Sequence, residues 1–539
     1  ACCQCDFQYP VCGACAAAGA ACLGYDSIQG VDRPRSTTSH LEQEVARLET
    51  ELGLIQSQTR TDLDISLESA ERLATRLAAT IAIPHRALRG QDSLLPLTST
   101  FFLSGSPEPY LSTSMEDFDM PKQAEESASS TNKLSSIPRH AVDTMLKHYC
   151  EIYRPLYPAV EESDLFNASD RVYNNTQPSA FDIFCVHVTL AISMQTLMYC
   201  DEKRATSASY GFWTTAVDAL GQAGPIDPWE RLQALQLLTH YGFTNPKHVD
   251  CSRCAAAATR LCLQLGLQHE LPVSIQNDLD VATLKKRKRL FWNSYNIDCT
   301  GLADKVTSAV HTVQCRPFIW PKSASIGPLT DTDSQSATSR QFCLLRELES
   351  EVTRGMYYPT IPFDDIPRDD SFGEWFTRIH QRLENWYQTT HQSINLGEKI
   401  EFHELLFQCQ IMRLNRPSPR RLTPTQEMRK RALQASIAVL KELGIIERMG
   451  KLFNIWHASY FLIEASICIL GIVLVGIASR EDAPTTLEGE DIPIICRYIQ
   501  TASVLLRKIS RRWPSMGVRA SALEAVSRAV VEKLHSWSK

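Results

Sequence analysis

Six of the chain's eighteen cysteines fall within its first 22 residues, at Cys2, Cys3, Cys5, Cys12, Cys15 and Cys22. From Cys5 onward the spacing is C-x6-C-x2-C-x6-C. Thiolates need such close spacing to meet around one tetrahedral Zn²⁺ ion at about 2.3 Å per sulfur. Gly13, Gly19 and Gly24 supply the turns. Disulfides and unmodified thiols are the other readings. No apolar signal segment opens the chain, so nothing argues for an oxidising compartment, and zinc is favoured. The expected site is Cys5, Cys12, Cys15 and Cys22. Cys2 and Cys3 are the weaker candidates for a second ion, because adjacent cysteines reach one cluster only with strain; one or two ions are expected.

The same segment carries Asp6, Asp26 and Asp32, and no lysine or arginine precedes Arg33. DNA affinity depends heavily on Lys and Arg neutralising phosphates. The module as written should therefore bind duplex DNA poorly, with Arg33 and Arg35 as the candidate contacts.

Cys5-Asp6, Pro10, Cys12, Cys15 and Cys22 resemble, position by position, the second half of the fungal Zn₂Cys₆ binuclear cluster domain. In that family a CxxC and a basic helix precede this half. Here only Ala1-Cys2-Cys3-Gln4 stands in their place. By resemblance, the basic helix would read short G·C-rich half-sites in the major groove, with dimer spacing setting their separation. Either the chain is a clipped or mis-spliced form of an ordinary factor, which its start at Ala1 favours, or it is a variant with a defective reader.

Elements that would position such a module follow it. Leu41, Val45, Leu48, Leu52 and Ile55 recur in steps of 4, 3, 4 and 3 with charged flanks, a coiled-coil heptad pattern over residues 40–58. Ser39 is a plausible cap. The alternative is an amphipathic helix packed on the main body. The order of cluster, linker (31–39) and short dimerising coil resembles the family layout and implies a homodimer or heterodimer. Residues 59–136 read as a flexible linker, Ser-, Thr-, Pro- and acid-rich over 86–136, with an acidic-apolar run at Met115–Met120.

From Ile137 to Lys539 helical periods dominate, so the expected fold class is mostly α. Three blocks resemble the fungal-specific regulatory domain found downstream of Zn₂Cys₆ clusters. They are YCEIYRPLYP (Tyr149–Pro158), Leu232–Leu238 leading into Ala256–Leu267, and Lys285–Trp292 with Tyr295 and Asp298. One departure is the late Cys315-Arg316-Pro317, where the family has G-R-P soon after the Asp. The resemblance implies a nuclear transcription regulator with double-stranded DNA as partner and an effector of unspecified identity. A second hypothesis is a DNA-incompetent protein that dimerises with an intact zinc-cluster factor and modulates it.

Net charge is −6, so the chain as a whole has no pull toward nucleic acid or anionic membrane, and any DNA contact is local. The remaining cysteines, including Cys251, Cys254 and Cys262, read as core thiols. The apolar run Ala465–Ala478 falls short of the ~20 residues a spanning helix needs and reads as a buried helix bounded by Glu464. The basic runs Lys285–Arg289 and Arg507–Arg512 read as solvated or ion-paired charge rather than localisation signals. Trp213, Trp229, Trp292 and Trp456 read as core. No phosphate-binding loop, G-x-S-x-G or H-E-x-x-H occurs, and the dispersed histidines suggest no nucleophile pair. An enzyme is not expected.

Overall fold

The structure, a computed structural model, describes residues 12–20, 22–26, 31–34, 134–195, 201–223, 226–269, 271, 273–300, 334–357, 371–392, 402–418, 420–478, 491–514 and 516–537. Cys2, Cys3, Cys5, Arg35, the heptad positions Leu41, Val45, Leu48, Leu52 and Ile55, linker residues 59–133 and Cys315–Pro317 lie outside the described residues, whereas Leu134–Ser136, read as the end of the linker, form a 3-10 turn whose Leu134 is buried in the core because its apolar side chain packs on the helical body. The chain divides into two compact units, residues 1–65 and 66–539.

The first unit holds α1 (Gly13–Ala17) and a two-stranded antiparallel hairpin of β1 (Leu23–Asp26) and β2 (Val31–Pro34). Leu23 pairs with Pro34 and Gly24 with Arg33. Residues 31–34 are thus part of the hairpin, whereas the sequence placed them in the linker. Local alternation over four residues is too short a signal to show this.

The second unit is all helical among the described residues. It runs α2 (Arg139–His148), α3 (Glu162–Tyr173), α4 (Ala180–Ser193), α5 (Glu202–Gly221), α6 (Pro228–Thr244), α7 (Cys251–Gln264), α8 (Val273–Asp278) and α9 (Val281–Thr300). It continues with α10 (Ser334–Tyr357), α11 (Phe372–Gln392), α12 (His403–Asn415), α13 (Gln426–Arg448), α14 (Ile455–Ala478), α15 (Asp491–Arg512) and α16 (Met516–Trp537). The chain is mostly α, as its periodicity predicts.

Helix ends follow side-chain chemistry. Ser179 and Asp182 form a reciprocal capping box on α4, while Asp201, Asp227 and Thr425 each accept a first-turn N–H of α5, α6 and α13. Pro228 follows its cap at the position where a missing N–H costs nothing. The Leu265-Gly266-Leu267 block ends α7 because Gly266 takes φ +63°, letting the Leu267 N–H reach back to the Cys262 carbonyl.

The core forms two large apolar clusters and one smaller one. One is built by α2–α6, the other by α10–α16. Phe243 of α6 and Ile297 of α9 belong to the second, so the two halves share side chains. Trp213, Trp292 and Trp456 are buried, as expected, whereas Trp229 is half-buried.

A short irregular segment joins these halves. α2 widens into a π-helical turn at Tyr149–Tyr153, and Pro155 and Pro158 follow. A buried segment outside regular structure must find partners for its backbone. The Pro155 carbonyl accepts from Ser339 Oγ at 2.6 Å, Leu156 from Asn296 Nδ2 at 3.3 Å, Pro158 from Arg289 Nη1 at 3.2 Å and Ala159 from Gln233 Nε2 at 3.0 Å. The donors come from α10, α9 and α6, so distant sequence blocks form one interface.

α14 is the buried helix expected of the apolar run, with its bounds and length corrected. It starts at Ile455, ten residues before Ala465, and the stretch Ile455–Leu474 has the 20-residue length and composition of a membrane span. Most of its described side chains are packed inside this body. Glu464 lies within the helix rather than at its edge. Its carboxylate accepts from Arg413 Nε at 2.9 Å and Nη2 at 2.8 Å, and Arg416 Nη1 lies 2.9 Å away. Burial alone would raise the Glu464 pKa, but the two guanidiniums outweigh it and hold it below its usual value.

Candidate metal centre

Within residues 12–22 the local fold brings three sulfurs together. Cys12 caps α1, its Sγ accepting the Cys15 N–H at 3.4 Å, and the Ala16 N–H bonds the Cys12 carbonyl at 2.9 Å. This tight turn puts two thiols separated by two residues on one side. Gly19, at φ +61°, ends the helix in a conformation that glycine adopts without steric cost. The chain then returns to Cys22 just before β1.

The Sγ atoms of Cys12, Cys15 and Cys22 all lie within 4.8 Å of one another. Sulfurs bound at 2.3 Å with tetrahedral angles sit roughly 3.8 Å apart, so a small contraction suffices. Cys12 and Cys22 are buried and Cys15 half-buried. A hydrogen bond with Cys12, then burial and Cys22, push the Cys15 thiol up to about 12. Crowded thiols disfavour each other's ionised form, and a divalent cation among them reverses that balance. No disulfide joins the described cysteines. The donor set fits zinc in three of the four expected positions, and Cys5, expected as the fourth, lies outside the described residues. Arg33 stands on β2 opposite Gly24.

The other candidate positions are absorbed by packing. Cys251, Cys254 and Cys262 share α7, two of them buried, and form no metal-sized group. In the Lys285–Arg289 run, Lys286 covers the Trp229 ring at 5.7 Å and Arg287 donates to the Gly266 carbonyl at 2.9 Å. Arg289 is buried, pairing with Glu161 at 3.3 Å as well as the Pro158 carbonyl. Arg289 meets the expectation of paired charge through Glu161, and does so as a buried residue rather than a surface one. Its spacing of three and seven residues from Trp292 and Asn296, both buried, is the sequence signal for this. In the second run, Arg507 and Lys508 pair with Glu524 and Glu447, and Arg512 donates to the Thr244 and Leu452 carbonyls at 3.2 Å.

Residues 146–301 match the family model of the fungal specific transcription factor domain. The chain is also 25% identical over 181 residues to the protein STB5 of Saccharomyces cerevisiae, covering 31% of this chain and 24% of that one. It is 25% identical over 177 residues to the pyrimidine pathway regulatory protein 1 of the same yeast, covering 30% and 19%. The chain thus spans a quarter or less of the curated relatives it matches. No solved structure matches it. All three sequence blocks named above fall inside the matched span at residues 146–301.

Proposed function

We propose that this chain is a nuclear transcription regulator whose cysteine module holds zinc and whose helical body is the regulatory part. The observation that supports this reading is the conjunction, in one chain, of a three-thiol cluster at residues 12–22 and a match to the fungal specific transcription factor domain over residues 146–301. Residues 40–58 supply the dimer contact through the heptad positions Leu41, Val45, Leu48, Leu52 and Ile55, and the helical body receives the effector signal.

Charge decides how strongly this chain holds DNA. Residues 1–32 contain no lysine or arginine, so phosphate neutralisation falls to Arg33 and Arg35. Two such contacts give a log-log salt slope of only about −2. The same charge pattern favours a second reading, a DNA-incompetent partner that pairs with an intact zinc-cluster factor and modulates it. In either case the chain by itself binds duplex weakly and with little sequence preference. The test is a fluorescence-anisotropy titration of the zinc-loaded chain against G·C-rich half-site duplexes and scrambled controls at two salt concentrations. Weak, unselective binding is expected. Nanomolar, sequence-selective binding would refute the charge argument, and co-purification with an intact zinc-cluster protein would favour the second reading.

A further inference from the structure

We propose that His391 and His403 form a second metal site in the helical body, suited to a borderline transition ion such as Zn²⁺, Ni²⁺ or Cu²⁺. His391 lies in the last turn of α11 and His403 opens α12, and these two helices pack together. His391 Nδ1 and His403 Nε2 are 3.0 Å apart, with ring centroids at 5.3 Å. Two imidazole nitrogens sharing an ion at about 2.0–2.1 Å sit roughly 2.9–3.3 Å apart for right-angle to tetrahedral geometry. The pair therefore already has the separation of a chelate. Its position leaves room for entry, since His391 is exposed and His403 half-buried.

The surroundings fix both rings. Tyr387 stacks on His391 at 5.3 Å and on His403 at 5.8 Å, and its other neighbour is Phe407, stacked at 4.5 Å. The Tyr387 hydroxyl donates to Glu404, whose second oxygen accepts from Gln408 Nε2 at 3.0 Å. Such support around the ligands sets ring orientation and hence affinity. Glu384, Glu404 and Glu442 add negative charge around Tyr387, which favours a cation. Nitrogen donors select borderline ions over Mg²⁺ or Ca²⁺. No third histidine, cysteine or carboxylate closes on the pair among the described residues, so water completes the coordination and the ion exchanges readily. When bound, it ties the end of α11 to the start of α12.

The alternative is a plain hydrogen bond between the two imidazoles, and metal counting separates the two. The full chain and the variants His391→Gln and His403→Gln are dialysed against buffered free zinc, and bound zinc is counted by elemental analysis. The wild type should hold one ion more than either variant, at unchanged far-ultraviolet circular dichroism. Tyr387→Phe should keep the count and weaken that ion's affinity about ten-fold. Cys12→Ser serves as the control, because it should lower the count without touching the His-dependent ion. Equal zinc count and affinity in the wild type and both His variants would overturn the proposal.

Discussion

His240 is buried and His457 half-buried with both ring nitrogens out of solvent, and the Phe243 ring centroid lies 6.4 Å and 4.4 Å from theirs. Tyr149, Tyr153 and Tyr157 also surround His240, and Arg346 of α10 acts on His457. Among the described residues, neither His240 Nδ1 nor either ring nitrogen of His457 has a hydrogen-bond partner. Burial holds both imidazoles neutral, pushing each pKa down to about 3, with Arg346 and His240 adding to the effect on His457. His148, His187, His248 and His380 shift in the same direction, chiefly through burial. A folded pKa below the unfolded value of about 6.5 means that the unfolded chain binds more protons as the pH falls. Stability from these groups is full above about pH 6.5 and lost below it, by up to about 1.4 kcal/mol per pH unit for each of the two histidines. The melting temperature should fall steeply from neutral pH to about pH 5, and His457→Leu should flatten that slope. An unchanged slope in the variant would show that His457 titrates freely. None of this was legible in the sequence, where the histidines are merely dispersed, because a histidine's pKa depends on neighbours far away along the chain.

Among the elements, α14 and the segment around Pro155 and Pro158 show how the helices are held in register. Glu464 joins α14 to Arg413 of α12 and to Arg416 just beyond it. Removing one member of a buried ion pair typically costs about 3–5 kcal/mol, because the remaining charge is left uncompensated. Glu464→Gln should therefore lower the melting temperature by several degrees, whereas breaking the exposed Arg431–Glu427 pair should leave it nearly unchanged. Equal effects in thermal unfolding would contradict the assignment. Helical character and several caps could be read from periodicity and from Ser, Asp, Thr and Gly positions. The ion pair could not, since a single acid beside an apolar run reads equally well as a helix boundary. The blocks at 149–158 and 285–298 were visible as separate signatures. That Arg289 and Asn296 of one cap the carbonyls of the other was invisible until both were placed.

At the scale of the whole molecule, the chain combines a small cysteine module with a large helical body, and the sequence was most informative at its two extremes of spacing. Residue-by-residue cysteine spacing picked out Cys12, Cys15 and Cys22, whose thiols lie together, and the three blocks read within residues 137–539 fall in the span 146–301 that matches the family model. The β-hairpin lay between these scales and was missed. The central claim is that the clustered thiols are metal ligands, and cobalt substitution of the full chain tests it most directly. With Co²⁺ in place of Zn²⁺, thiolate ligation gives an intense sulfur-to-metal charge-transfer absorption in the near ultraviolet that imidazole and water ligands do not produce. The account predicts that this band appears in the wild type, is bleached by competing zinc, and is lost or strongly reduced in Cys12→Ser and Cys22→Ser. A chain that shows no such band while its thiols remain reduced, or a band indifferent to both substitutions, would contradict it.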